Sequence, residues 1–204
     1  MKKSQSQFYE LIFDGYAIED NPLSIYYERR DDQGFDNRLL NRGNSLEDLW
    51  PQDFTIYLRG YQPVDYLMCG PGYEVLSKSA ADIFHSIAKD SIELLPVNTV
   101  INDQPVEPNS FFVLNVLKSF EALNWEETVW SSPKVPYDDP SAHGRIIKPA
   151  FNIQLIQEEA IFLLSVQKKI KSGIYISRYL KESLEERNST IGMAFTPIKV
   201  VIQA

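Results

Sequence analysis

Residues 160–203 constrain the fold most, because their hydrophobic pattern changes from strand to helix periodicity and back. An apolar run predicts a strand, and a charged turn that closes on Gly173 follows it. A short β-branched run then leads to Ser177, a residue type that commonly caps the N-terminus of a helix. Good helix formers follow, and the residues from Met193 onward are strand-like. The stretch therefore predicts a strand, a turn, a second strand, a capped helix and a last strand.

The predicted helix after this cap has one apolar stripe and one charged face. Tyr179 or Leu180, together with Leu184 four or five residues later, supplies the stripe. Lys181 and Glu185 are four residues apart and form an opposite-charge pair. Three polar residues at 188–190 end the helix, and Gly192 lets the chain turn into the last strand.

The composition is that of a globular protein with an acidic surface. The 204 residues are 44% hydrophobic and 12% aromatic, which suits one domain or two small lobes that share a core. The 28 acidic and 20 basic residues give a formal net charge of -8. This charge opposes binding to nucleic acid or to an anionic membrane, and it favours a basic partner.

Cysteine usage and the N-terminal residues predict a cytoplasmic protein. A single cysteine, Cys69, excludes an intrachain disulfide. The first residues meet Glu10 and Asp14 before any long apolar run, which is unlike a secretory signal. The longest apolar run, residues 160–164, is far shorter than the ~20 residues that span a bilayer.

Several other runs predict strands, and the polar segments between them predict loops. The strand candidates are residues 8–13, 23–27, 54–58, 64–68, 92–97, 111–117 and 151–155. We expect Pro96 at a sheet edge or at the end of its strand, because proline has no amide hydrogen. Residues 29–45 and 131–144 are interpreted as loops, and residues 118–125 as a connection. Ser79 and Asp82 match a capping box and predict a second helix.

These elements predict an α+β fold with mostly antiparallel sheets and two or three short helices. The number of strands expected is eight to ten. Residues 1–49 are interpreted as N-terminal strands and a polar arm packed on the core. Residues 50–204 are interpreted as one compact domain.

The candidate catalytic groups are few. Cys69 beside two glycines could be a nucleophile with His85 or His143 as its base, which leaves a small hydrolase as one alternative. A free cysteine is more often an ordinary, partly buried thiol. His143 near Asp138 and Asp139 lacks the converging ligands that a metal requires. We therefore expect no catalytic residue, no metal and no cofactor.

Adjacent carboxylates are a further candidate for hydrolytic chemistry. They occur as pairs at 31–32, 126–127, 138–139 and 158–159. Neighbouring residues point to opposite faces of a strand, and in loops they point outward. We interpret these pairs as surface charge.

Eight segments resemble, in the same order, a family of bacterial immunity proteins from polymorphic-toxin systems, the myxobacterial-type family eleven. The segments are WP at 50–51, PVDY at 63–66, YEVLS at 73–77, IELLPV at 92–97, FFVLNVL at 111–117, IF at 161–162, IYIS at 174–177 and IGMAF at 191–195. The resemblance begins at Trp50. It implies a non-enzymatic protein that binds and neutralises one cognate secreted or contact-delivered toxin.

The resemblance supplies no catalytic residues, so the partner-binding residues are predicted from surface chemistry. Tight interfaces combine central aromatic side chains with a charged rim. The residues predicted to bind a toxin partner are Glu126, Glu127, Trp130, Tyr137, Asp138 and Asp139. The residues before Trp50 and the loop at 131–144 are candidates for partner specificity. Another protein-binding or ligand-binding module with the same core is the alternative, and the oligomeric state is left open.

Overall fold

The fold is mostly β in the part of the chain that the computed structural model describes, namely residues 7–15, 25–70, 72–131, 146–156, 158–165 and 173–201. Strands make up 43% and helices 17%, and the sheets form a near-barrel. The predicted α+β class is therefore wrong. Some segments whose polar composition predicted loops are strands in the structure. The strand content expected from the sequence was therefore too low.

The described residues form sixteen strands and two α-helices. In chain order, the strands are β1 (Phe8–Phe13), β2 (Tyr26–Asp31), β3 (Thr55–Arg59), β4 (Tyr66–Met68), β5 (Glu74–Ser77), β6 (Ile92–Ile101), β7 (Gln104–Pro105), β8 (Phe111–Val116), β9 (Ser119–Phe120), β10 (Val129–Trp130), β11 (Ile146–Lys148), β12 (Ala150–Asn152), β13 (Ile161–Leu164), β14 (Ile174–Ser177), β15 (Met193–Pro197) and β16 (Lys199–Val201). The helices are α1 (Lys78–Ala88) and α2 (Arg178–Glu186). Two short 3₁₀ helices span Asn37–Leu39 and Ile153–Leu155.

Two sheets carry most of the strands. The larger has the spatial order β2-β3-β6-β8-β5-β4, with β7 paired to β6, and the smaller has the order β15-β1-β14-β13-β9. Strands β10 and β11 form a separate pair, as do β12 and β16. The pairs β3-β6, β9-β13 and β12-β16 are parallel, and the other ladders are antiparallel.

Alternating side chains of the same strands supply three layers of apolar packing. In β13, Ile161 joins a cluster that also contains residues of the larger sheet and of both helices, whereas Phe162 joins an aromatic cluster on the opposite face. In β8, Leu114 joins the first cluster and Val113 joins another on the far face of the larger sheet. A strand buried on both faces reads as a continuous apolar run. This explains why β8 and β13 were easy to predict.

Strand β2 shows why the predicted loop at 29–45 was too long. Its sequence is YYERRD, and most of its side chains are exposed or half-buried. It lies at an edge of the larger sheet and pairs only with β3, with a register shift between Tyr27 and Arg29. Charged side chains and bulges are common on edge strands, where they oppose pairing with another chain. An edge strand of this kind has no period-two pattern to detect.

The position of Pro96 differs from the prediction. It lies in the middle of β6, a strand of ten residues that is flanked by β3 and β8. Pairing with β8 covers Pro96, but pairing with β3 begins only at Asn98. The Pro96 carbonyl accepts a hydrogen bond from the Trp50 indole at 2.8 Å on the side where no strand is present. The proline nitrogen faces the same side, so its missing hydrogen breaks no ladder bond.

Both helices begin directly after a strand, and a serine caps each of them. The cap predicted at Ser177 is confirmed, since its hydroxyl accepts from the amide of Leu180 at 3.2 Å. The capping box predicted at Ser79 is wrong. Helix α1 begins earlier, and the Ser77 hydroxyl accepts from the amide of Ala80 at 3.3 Å. Ser79 donates instead to a buried carboxylate, which its position in the first turn allows.

Candidate functional site

Three of the six predicted partner-binding residues, Glu126, Glu127 and Trp130, lie in the part of the chain that the structure describes. Glu126 and Glu127 lie exposed in the turn before β10, and Glu127 forms an ion pair with Lys199 at 2.5 Å. Trp130 is only 8% exposed and stacks on Trp125 with 5.1 Å between ring centroids. The two carboxylates therefore lie at the surface, whereas the Trp130 indole is buried beneath the turn.

The other three predicted binding residues, Tyr137, Asp138 and Asp139, lie outside the described residues. The same holds for His143. Their part in a binding surface stays a prediction.

Cys69 has the environment of a structural thiol. It is fully buried, and burial raises the pKa of its side chain to about 12. Its amide donates to the carbonyl of Tyr73 at 2.9 Å, which closes the turn through Gly70 and Gly72. A thiol with this pKa stays protonated near neutral pH and is a poor nucleophile. His85 lies exposed on α1, a helix whose buried residues belong to a different apolar cluster from Cys69.

A polar cluster beside Cys69 joins the edge strand β2 to this turn. Arg30 pairs with Asp32 at 2.9 Å, and the Tyr73 hydroxyl donates to the same carboxylate at 3.1 Å. Burial alone would raise the pKa of Asp32, but the hydrogen bonds from Arg30, Tyr73 and the amide of Gly34 lower it below its ordinary value. Because these groups satisfy one another, we assign the cluster a structural role.

A second polar cluster anchors the acidic loop, by which we mean residues 45–53. The carboxylate of Glu93 accepts from the Ser45 hydroxyl at 2.7 Å, from the amides of Leu46 and Glu47 at 2.9 and 3.1 Å, and from Asn115 at 3.0 Å. Burial tends to raise the pKa of Glu93, but these four hydrogen bonds outweigh it and lower the pKa. The loop is thus fixed to β6 and β8.

The anchored loop contributes to the negative surface. Within the described part of the chain, no cation pairs with the carboxylates of Glu47, Asp48 or Asp53. Sequence reasoning missed its anchors, Glu93 and Asn115. Asn115 is the one polar residue of β8, and Glu93 is the one charged residue of β6. Such an interruption of an apolar strand is the available signal, because a buried polar group requires a partner.

Replacing Glu93 by glutamine is expected to lower the free energy of unfolding by about 1 kcal/mol near neutral pH. The folded-state pKa lies below the ordinary value of 4.5. The stabilisation is therefore present above about pH 4.5 and is lost as the pH falls through the folded-state pKa. Urea unfolding from neutral to acid pH should show a steeper acid loss for the wild type than for Glu93→Gln. Glu47→Gln in the same loop is the matched control, and a curve for Glu93→Gln as steep as the wild type contradicts the prediction.

Metal and membrane features are absent from the described residues. They contain no group of three or more His, Cys, Asp or Glu side chains placed to hold a metal ion. Neither described helix has the length and hydrophobicity needed to cross a membrane.

The fold and its surface define a mostly β, acidic protein whose carboxylates are displayed on anchored turns and helix faces. The chain belongs to the immunity protein family Imm11, whose model matches residues 11–200. The family resemblance seen in the sequence is thereby confirmed. No curated protein matches the chain. The match also includes residues 11–49, so the expectation that the resemblance begins at Trp50 is wrong, in keeping with the pairing of β1 and β2 to later strands.

Proposed function

We propose that this chain is an immunity protein that binds one cognate toxin of a polymorphic-toxin system and neutralises it without catalysis. The observation that carries the proposal is the family match over residues 11–200. The partner is a protein toxin that is secreted or delivered by contact. The site of action that we propose is the cytoplasm of the protected bacterium, where an arriving toxin meets its target.

The electrostatics of the chain favour this role. The formal net charge of -8 produces a negative potential that attracts a basic protein and repels nucleic acid. Such complementarity raises the association rate and selects against wrong partners. A toxin that cleaves or modifies nucleic acid needs a basic cleft, which makes it a fitting partner for an acidic inhibitor.

The test is co-expression of this chain with the toxin domain encoded by the neighbouring gene, scored by bacterial growth. We expect growth to be restored and the two purified proteins to form a stable complex. Titration then separates binding from catalysis. Inhibition by binding ends at a fixed molar ratio, whereas progressive inactivation by a small fraction of this chain indicates an enzyme and contradicts the proposal.

Charge reversal at Glu126 and Glu127 tests the predicted binding residues. We expect Glu126→Lys/Glu127→Lys to slow association with the toxin domain by about tenfold at low salt, because both carboxylates are exposed and belong to the predicted binding surface. The neutral variant Glu126→Gln/Glu127→Gln should have a smaller effect, which controls for loss of the Lys199 ion pair. Stopped-flow kinetics measures both. An unchanged association rate for the reversed variant removes this turn from the interface.

A further inference from the structure

An open groove of about 500 Å³ lies where the two helices approach the smaller sheet. The start of β1, the last turn of α1, the turn before β13 and the first residues of α2 form its walls. Its apolar lining includes Phe8, Ile87 and Ala160. The charged side chains that line it are Glu158, Glu159 and Arg178, and Tyr179 lies beside them. A concave apolar surface with a few polar groups at its rim is the usual form of a binding site.

Hydrogen bonds between the elements fix the shape of this groove. The amide of Arg178 donates to the carbonyl of Gln7 at 2.8 Å, and the amide of Ser177 donates to the carbonyl of Ala160 at 2.8 Å. In the turn before β13, next to Ala160, the carboxylate of Glu159 accepts from the Ser91 hydroxyl at 2.7 Å. A preformed surface loses little conformational entropy when a partner binds.

Tyr179 is the exposed aromatic side chain at the groove, with 67% of its surface accessible. It is the second residue of α2, whose inner face is anchored by the fully buried Leu180 and Leu184. Tyrosine is among the residues that most often dominate the binding energy of protein interfaces. An exposed tyrosine on an anchored helix beside a groove is suited to that role.

Two carboxylates continue from Tyr179 along the exposed face of the helix. Glu182 and Glu186 follow at helical spacings of three and seven, so all three side chains lie on one side of α2. Across the groove, Glu158 is exposed as well. Among the residues that the structure describes, none of these three carboxylates has a cationic partner.

We propose that this groove, together with the face of α2 that bears Tyr179, Glu182 and Glu186, is a docking surface for a basic segment of the toxin. This inference rests on the proposed function. The stem of a lysine or arginine packs on Ile87 and on the Tyr179 ring, and its charge meets the carboxylates at the rim. An arginine side chain matches both the apolar lining and the negative rim.

The charge of the groove favours a basic segment over the other possible partners, which are a second copy of this chain, a phosphate and a nucleic acid. A second copy of this chain brings a net charge of -8 to a negative rim and is repelled. A phosphate or a nucleic acid meets the same repulsion. Among the described residues that line the groove, two glutamates outnumber the one arginine, and Glu182 and Glu186 add negative charge on the adjoining helix face. A basic polypeptide is therefore the occupant that both the apolar lining and the balance of charge favour.

The experiment measures binding of the toxin domain encoded by the neighbouring gene to full-length variants by surface plasmon resonance. We expect Tyr179→Ala to raise the Kd about 30-fold, mainly through faster dissociation, because the aromatic contact is lost. Tyr179→Phe keeps the ring and should remain within about threefold of the wild type. Thermal unfolding of both variants checks that the fold is intact. A Tyr179→Ala variant that binds like the wild type overturns the docking surface.

Paired charge reversals separate local docking from the general attraction of an acidic protein. Glu182→Lys/Glu186→Lys should weaken binding by more than tenfold, whereas Glu47→Lys/Asp48→Lys, an equal change of charge on the acidic loop, should weaken it less than about threefold. Equal losses in the two variants overturn the proposal. Failure of the wild type to bind this toxin domain refutes the proposed function itself, whereas binding that is unaffected at the groove refutes only the docking surface.

Discussion

Replacing Phe162 by alanine is expected to lower the free energy of unfolding by about 3–5 kcal/mol. Phe162 is fully buried in β13. Its ring centroid lies 5.4 Å from that of Phe8, 5.7 Å from Phe120, 5.8 Å from Phe151 and 5.7 Å from Tyr175. Alanine leaves a cavity among four rings that pack against other elements and cannot close around it. Urea denaturation followed by circular dichroism measures the loss.

A graded series controls for this effect. Phe162→Leu fills part of the volume and should cost about 1–2 kcal/mol. Tyr61 is 78% exposed, and Tyr61→Ala should change the free energy of unfolding by no more than about 0.5 kcal/mol. If Phe162→Ala costs as little as Tyr61→Ala, the aromatic cluster does not stabilise the fold in the way that its geometry indicates.

Replacing Asp65 by alanine is the second large change, with an expected loss of about 3 kcal/mol of unfolding free energy. The buried carboxylate accepts from the hydroxyls of Ser77 and Ser79 at 2.9 and 3.0 Å and from the amide of Ile191 at 3.0 Å. It thereby joins the start of β4, the cap of α1 and the turn between α2 and β15. Alanine removes the buried acceptor that these three donors share, and with it the link between the three segments.

Asp82 provides the matched control for this prediction. Its ion pair with Lys78 is 62% exposed at both side chains, and Asp82→Ala should cost no more than about 0.5 kcal/mol. Asp65→Asn keeps the volume but offers one acceptor oxygen in place of two, so its loss should fall between the two alanine variants. Chemical denaturation of the three proteins ranks them, and an Asp65→Ala variant as stable as Asp82→Ala contradicts the assignment.

Sequence reasoning succeeded where one element satisfied several local rules at once. Helix α2 combines a serine cap, an apolar stripe and the Lys181–Glu185 pair, whose charged atoms lie 2.6 Å apart. It failed where long-range pairing overrides local pattern. Strand β2 can be polar because it lies at an edge, and Pro96 is tolerated inside β6 because pairing with β3 begins only at Asn98. Neither fact can be read from the residues around it.

The candidate site was less predictable than the fold. The surface position of Glu126 and Glu127 follows from their polarity, but the burial of Trp130 depends on stacking with Trp125. The groove beside Tyr179 depends on four segments that are far apart in the chain. No local pattern brings Phe8, Ile87 and Glu158 together, since only the pairing of β1 with β14 and the packing of the two helices place them side by side.

The spatial order of the smaller sheet has a consequence for synthesis on the ribosome. Strand β1 lies between β14 and β15, so its two neighbours are translated long after it. Until residues 174–197 have left the exit tunnel, the apolar side of β1 has no native strand to join and depends on chaperones or on non-native contacts. A nascent chain that stalls before residue 174 therefore lacks both neighbours of β1 and cannot form the smaller sheet.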